Sequence, residues 1–141
     1  MNVCFAPCPV VFDLDGTLID SAPDIHACVN AVLRLRGVRP LTLDQVRGFV
    51  GGGVDLLWRR VIGATGLPTD AHRDLVASFM TRYHEATGLT RLYPNVIEAL
   101  GILADRGYPL GICTNKPLGP TRAVLEHLGI DRLFGVVIGG D

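Results

Sequence analysis

The chain is short of the features that usually announce a partner. It has no excess of one charge: 13 Lys and Arg stand against 14 Asp and Glu in 141 residues, a formal net charge of -1. No basic field is there to attract nucleic acid. No segment approaches a membrane-spanning apolar run, and the opening, MNVCFAPCPVVFDLD, lacks the basic start and sustained apolar stretch of a secretory signal. A cytoplasmic location is the expectation, with no membrane and no nucleic acid as partner. There is no CxxC: Cys4, Cys8, Cys28 and Cys113 are scattered, and the close pair Cys4 and Cys8 has no neighbouring histidine to complete a zinc site. Reduced, structural thiols are expected. His26, His72, His84, His127 and Trp58 form no metal-like grouping. What remains is a globular composition, 48% hydrophobic and 19% charged, enough for one ordinary domain or a small one with an insert.

Three compact apolar runs read as strands. Pro9-Val10-Val11-Phe12 leads into Asp13, Tyr108 to Cys113 leads into Thr114, and Phe134 to Ile138 leads into Gly139-Gly140-Asp141. Short apolar runs closed by polar or glycine stops suit strands of a parallel sheet buried on both faces. A helical pattern precedes each of the last two runs. One has Pro94 in its first turn, Val96, Ala99, Leu100 and Leu103 on one face, and Gly107 as its stop. The other begins near Pro120 and Thr121, carries Val124, Leu125 and Leu128, and stops at Gly129. The order is that of an α/β fold built from βαβ units.

Residues 21–92 have a different character and read as helical throughout. Ile25, Cys28, Val29, Val32, Leu33 and Leu35 form an apolar face closed by Gly37, and Thr42-Leu43-Asp44-Gln45 reads as a capping box. Gly51-Gly52-Gly53 separates that short helix from Leu56, Leu57, Val61 and Ile62. A last helix starts near Thr69 or Asp70 and carries Leu75, Val76, Phe79, Met80 and Tyr83. The expected organisation is an α/β core of residues 1–20 and 93–141 with a helical domain, 21–92, inserted in it. Apolar stripes of this kind are core.

The chemistry concentrates in FDLDGTLIDS, Phe12 to Ser21. Alone, Asp-x-Asp-Gly can be a turn whose side chains satisfy backbone donors. Here it follows a strand, at the carboxyl end where open parallel sheets bind ligands, and Thr114 and Asn115 end a second strand at the same edge. In extended backbone, residues i and i+2 project to one side, so Asp13 and Asp15 can reach one ligand. A phosphate within roughly 4 Å of either carboxylate costs about 4 kcal/mol per charge pair at an intermediate dielectric, so a cation belongs in the site. Mg2+, which bridges carboxylate and phosphate oxygens, fits. One carboxylate can then attack phosphorus and the other carry the proton. Gly16 allows a tight turn, and the local backbone amides with Thr17 are candidate donors to phosphoryl oxygens.

These stretches, together with VGGGVDLL, YPNV, PLGICTNKP and VVIGGD, resemble the haloacid-dehalogenase-like phosphatases, and within them the phosphoglycolate phosphatases. The resemblance implies a partial Rossmann-like parallel sheet with a helical cap, Asp13 as nucleophile and metal ligand, and Asp15 as general acid/base that gives its backbone carbonyl to the metal. It implies that Thr114 and the Asn115 amide hold phosphoryl oxygens. It implies a Mg2+-dependent hydrolase whose partner is a small phosphorylated acid, 2-phosphoglycolate first. Family dehalogenases lack an acid at the position of Asp15, which favours phosphate esters here. A sugar-phosphate mutase would use the same pair and stays open as an alternative.

Lys116 has two readings, a solvated loop lysine or a point charge holding a substrate anion. Arg47, Gly51 and Gly53 fall in the expected cap, where the family selects substrate. The family's usual catalytic lysine and its fourth, acidic motif come after the third strand, beyond Asp141, so a C-terminally truncated chain is expected. A non-catalytic remnant or phosphate-binding module is therefore the second open alternative.

Overall fold

The computed structural model describes residues 7–141; Cys4 lies outside them. The first strand, β1, spans Val10–Phe12. Two residues of β2, Ile19–Asp20, lead into helix α1, Ala22–Leu35, followed by α2, Leu43–Arg47, α3, Gly53–Thr65, and, after a single 3-10 turn at Thr69–Ala71, α4, His72–Tyr83. The chain returns through β3, Arg91–Leu92, to α5, Val96–Asp105, β4, Leu110–Cys113, α6, Leu118–His127, and β5, Val136–Ile138. The insert is thus not helical to its ends. β2 and β3 pair antiparallel, Ile19 with Leu92 and Asp20 with Arg91, where the chain enters and leaves the helical part.

The helical part has its own core. Ile25, Val29, Val32 and Leu33 of α1 meet Trp58, Val61 and Ile62 of α3 and Leu75 and Phe79 of α4. Trp58 and Phe79 touch edge to face with ring centroids 5.8 Å apart, and Phe79 continues onto Tyr83 at 4.6 Å. The capping box at Thr42 is present in both directions: Gln45 N–H donates to Thr42 Oγ1, and Thr42 N–H to Gln45 Oε1. Leu35 does not join the core face. It is the last residue of α1, at the edge of the apolar stripe, and is 66% exposed.

The sheet is parallel, in the order β1-β4-β5, with Val10 opposite Leu110 and Gly111 opposite Val136. Its second core gathers Leu110 and Ile112 with Leu100 of α5 and Val124 and Leu125 of α6. The strands are not buried on both faces, and the reason is topological. Both connections step in the same direction, from β1 to β4 and from β4 to β5, and right-handed crossovers then lay both helices on one face. On the other face Val11 and Val136 flank Gly111 and are 62% and 60% exposed, with Ile138 54% exposed.

Helix starts also differ from the expected ones. Asn95 takes a left-handed conformation as N-cap, so α5 begins after it and Pro94 lies outside the first turn. α6 begins at Leu118, two residues before Pro120, which still sits in the first turn, where no intrahelical donor is needed. Among the described residues no helix is long and apolar enough to cross a membrane.

Candidate active site

β1 delivers the first half of the site. Leu14, fully buried, anchors the segment in the sheet core, so its neighbours Asp13 and Asp15 both turn the opposite way and line one cleft. The turn after them is closed by its own backbone, Gly16 N–H donating to Ile19 O (2.9 Å) and Thr17 N–H to Leu14 O (3.1 Å), while the Asp13 carboxylate accepts from Leu14 N–H through Oδ1 (2.8 Å). Gly16 has φ 79°, as the expected tight turn requires. The amides of Gly16 and Thr17, expected as phosphate donors, are instead committed to this turn, and neither residue lines the cleft of Asp13.

Asp15 is the better-held carboxylate. Its Oδ1 accepts from Ser21 Oγ (2.6 Å) and from Lys116 Nζ (3.2 Å). Ser21 stands at the N-cap of α1, yet its hydroxyl makes no capping bond because it serves Asp15. A local helix rule gives way at a site of this kind. Sequence reasoning did not single out Ser21; its signal was its place in the quoted string, six residues after Asp15.

β4 delivers the second half. Thr114 is buried, its N–H donating to Ile138 O of β5 (3.1 Å) and its Oγ1 accepting from Lys116 N–H (3.2 Å). Its hydroxyl hydrogen is left to donate into the cleft. Asn115 Nδ2 donates to Gly51 O (2.9 Å), tying the sheet edge to the glycine run of the helical part. The backbones close tightly here: a Cβ on Gly53, whose φ is 84°, would stand 3.2 Å from Asn115 O, and one on Gly140 would clash with the same oxygen at 2.3 Å. Gly140 N–H also donates to Lys116 O (2.9 Å), and Asp141 Oδ1 accepts from Leu118 N–H (2.7 Å) at the start of α6, where a negative charge is favoured. The GGD string thus fixes the loop carrying Thr114, Asn115 and Lys116.

Lys116 is not a solvated loop lysine. It is 5% exposed, paired with Asp15, hydrogen-bonded to Tyr83 Oη of α4, and its Nζ lies 4.4 Å from the centroid of the Tyr83 ring. Burial lowers the Lys116 pKa from its ordinary value, and the neighbouring Asp15 opposes that shift. Burial also holds the Tyr83 phenol well above its usual range, so it stays protonated. Tyr83 read in sequence as core alone; nothing in a helical stripe distinguishes a ring whose hydroxyl reaches 33 residues ahead.

Arg47 is not brought to this cleft. It pairs with Asp20 (2.6 Å) beside the two-residue ribbon, a bond that raises its pKa, and lines an adjoining cleft with Asp15, Ser21 and Tyr93. Gly51 and Gly53 do line the cleft of the two aspartates, which holds sheet-edge residues on one side and Val50, Val54 and Leu57 on the other. As to a metal, Asp13 and Asp15 offer oxygen donors only, and Asp13 Oδ2 accepts no hydrogen bond from a described residue, as suits a hard cation. Among the described residues no cluster of three or more His, Cys, Asp or Glu completes a shell.

Comparison with known proteins agrees with this geometry. The haloacid dehalogenase-like hydrolase family matches residues 10–141. The chain is 47% identical over 135 residues to a phosphoglycolate phosphatase of Cereibacter sphaeroides, covering 94% of this chain and 62% of that protein. It is 46% identical over 134 residues to a phosphoglycolate phosphatase of Rhodobacter capsulatus, covering 94% and 61%. A crystal structure described as a predicted phosphoglycolate phosphatase from Haemophilus somnus superimposes with a TM-score of 0.87 at 33% identity, over 97% of this chain and 63% of that one. The chain therefore spans about three fifths of the length of these relatives. A match that runs through both halves of the cleft shows that the chain belongs to the haloacid dehalogenase-like hydrolases.

Proposed function

We propose that the protein is a Mg2+-dependent phosphatase of a small phosphorylated acid, with 2-phosphoglycolate as first candidate, and that residues 21–92 act as a cap over residues 1–20 and 93–141. The observation that carries it is the convergence of Asp13, Asp15, Thr114 and Asn115 on one cleft between the sheet edge and the helical part. The relatives' names and the family match support the substrate and reaction class. Among the described residues the thiols of Cys8, Cys28 and Cys113 are free, which supports a cytoplasmic location.

In this reading Asp13, the less encumbered carboxylate, attacks phosphorus. A bond forms between a carboxylate oxygen and phosphorus as the ester P–O bond breaks, giving an acyl phosphate. Asp15 protonates the departing alkoxide through Oδ2, the oxygen that no described residue binds, while Ser21 and Lys116 fix its orientation through Oδ1. It then takes a proton from the water that hydrolyses the acyl phosphate, restoring Asp13 and releasing phosphate. Thr114 and Asn115 hold the non-bridging oxygens. Asp13 and the Asp15 carbonyl would hold Mg2+, which supplies the positive charge that lets carboxylate and phosphate approach. Closure of the glycine run over Asn115 excludes bulk water from the step.

The test is Mg2+-dependent release of inorganic phosphate from 2-phosphoglycolate. Asp13→Asn is expected to lower turnover by on the order of 10⁴-fold. Turnover at the wild-type level in Asp13→Asn would overturn the mechanism.

A further inference from the structure

The cleft holds two hydrogen-bond donors that no described residue accepts. Lys116 Nζ has three hydrogens. One goes to Asp15 Oδ1 and one to Tyr83 Oη. The third finds no acceptor among the described residues. Tyr83 Oη already accepts from Lys116, so its own hydrogen must go elsewhere, and it too finds no acceptor there. Both groups are buried, Tyr83 at 4% and Lys116 at 5% exposure, and both line the cleft that contains the two aspartates. Two donors side by side at a buried cleft wall need an acceptor from water or a ligand, and a ligand that supplies two acceptors at once answers both.

The charge of the cleft points the same way. Asp13 and Asp15 are its acidic groups and Lys116 is its one cationic group; Arg47, the other candidate, is turned to Asp20. The acceptor that suits one ammonium hydrogen and one phenol hydrogen is a carboxylate, which offers two oxygens in a plane. The wall opposite the sheet edge is otherwise apolar, with Val54 and Leu57, and offers nothing to a sugar's hydroxyls.

We propose that Tyr83 and Lys116 form a seat for the carboxylate of the substrate, so that the cap contributes substrate recognition through Tyr83 and selects phosphorylated carboxylic acids over phosphorylated sugars and alcohols. The proposal rests on the reading of this cleft as a phosphate-ester site. Tyr83 is a specificity residue in this scheme. Because its hydroxyl comes from α4 and Lys116 from the loop after β4, the carboxylate can be bound only when the two parts of the chain are closed on each other. Acid recognition and cap closure become one event.

Equilibrium binding separates this seat from the phosphatase reading. In an Asp13→Asn background with Mg2+ present, 2-phosphoglycolate and ethyl phosphate, which lacks only the carboxylate oxygens, are titrated calorimetrically. The added Tyr83→Phe change keeps the ring packed on Phe79 and removes only the hydroxyl. It is expected to weaken 2-phosphoglycolate by about tenfold or more and leave ethyl phosphate unchanged. Lys116→Met should likewise weaken the acid more than the alcohol. Equal binding of both ligands by the Asp13→Asn protein, no binding of 2-phosphoglycolate, or equal losses for both ligands in Tyr83→Phe would each overturn the seat. A protein that hydrolyses both esters without preference would keep the phosphatase reading and lose the seat. One that binds the acid through Tyr83 yet releases no phosphate from it with Asp13 intact would do the reverse.

Discussion

In the helical part, α1, α3 and α4 surround Trp58 and Phe79, and the inward stripe of each helix meets another helix. In the sheet part, α5 and α6 cover one face of three strands, while Val11, Val136 and Ile138 stand exposed on the other. The first part is a closed core that carries apolar cleft wall and one hydroxyl. The second is a half-covered sheet that carries every charged group of the cleft. The difference separates two kinds of position: strand ends fix the backbone beneath the cleft's charged groups, and a separate helical core supplies the apolar wall that faces them.

The largest expected break of that comparison is Phe79→Ala. Phe79 is fully buried, edge-on to Trp58 and stacked on Tyr83. Truncating it should cost about 3–5 kcal/mol, read as a shift of the urea midpoint. The loss should fall on the helical part first, with hydrogen exchange rising in α3 and α4 before β4. Simultaneous loss of protection in both parts would show that they are one cooperative unit.

Much of this division was legible beforehand, for physical reasons that differ by element. The placement of FDLDGTL could be read because its carboxylates lie in one contiguous string, where spacing alone puts Asp13 and Asp15 on one side of buried Leu14. The capping box at Thr42 is likewise local. The bare sheet face could not be read, since Val136-Val137-Ile138 has the same apolar pattern whether one face or two are covered; the direction of the crossovers decides it. Two-residue strands such as Ile19–Asp20 are too short for any period. Tyr83 and Lys116 meet only through the closure of α4 on the β4 loop, so each looked ordinary: one a core ring, the other a loop lysine. Arg47 stands outside the cleft of Asp13 for the opposite reason, because a nearby Asp20 claims it.

A middle-sized effect should come from the tie that closes the helical part on itself, where its chain turns back toward the sheet. Asp24, buried in the first turn of α1, accepts on Oδ2 from Leu89 N–H (3.0 Å), Thr90 N–H (2.7 Å) and Thr90 Oγ1 (2.6 Å). Asp24→Ala leaves buried donors without an acceptor at the point where the chain returns to the sheet, a loss of about 2–4 kcal/mol in denaturant unfolding. Unlike Phe79→Ala, it should raise exchange at Leu89, Thr90 and the β2–β3 ribbon while α3 stays protected. Loosening of α3 to the same extent would mean that the helical core depends on this tie.

The smallest effect is expected on the bare sheet face, and it tests the comparison from the other side. Ile138 is half-exposed and pairs in register with Cys113, whose thiol is exposed on the same face. Ile138→Thr keeps a β-branched side chain and removes apolar surface that water already reaches, so it should change stability by less than about 0.5 kcal/mol. Alkylation gives an independent reading of the same face. At pH 8 Cys113 should react quickly in both proteins, whereas Cys28, whose pKa burial raises to about 11, should react only after unfolding, since the thiolate is the reactive form. If Ile138→Thr costs 2 kcal/mol or more, or if Cys113 reacts as slowly as Cys28, the face is covered in solution. The contrast between a closed helical core and a half-covered sheet would then belong to the isolated fold and not to the working protein.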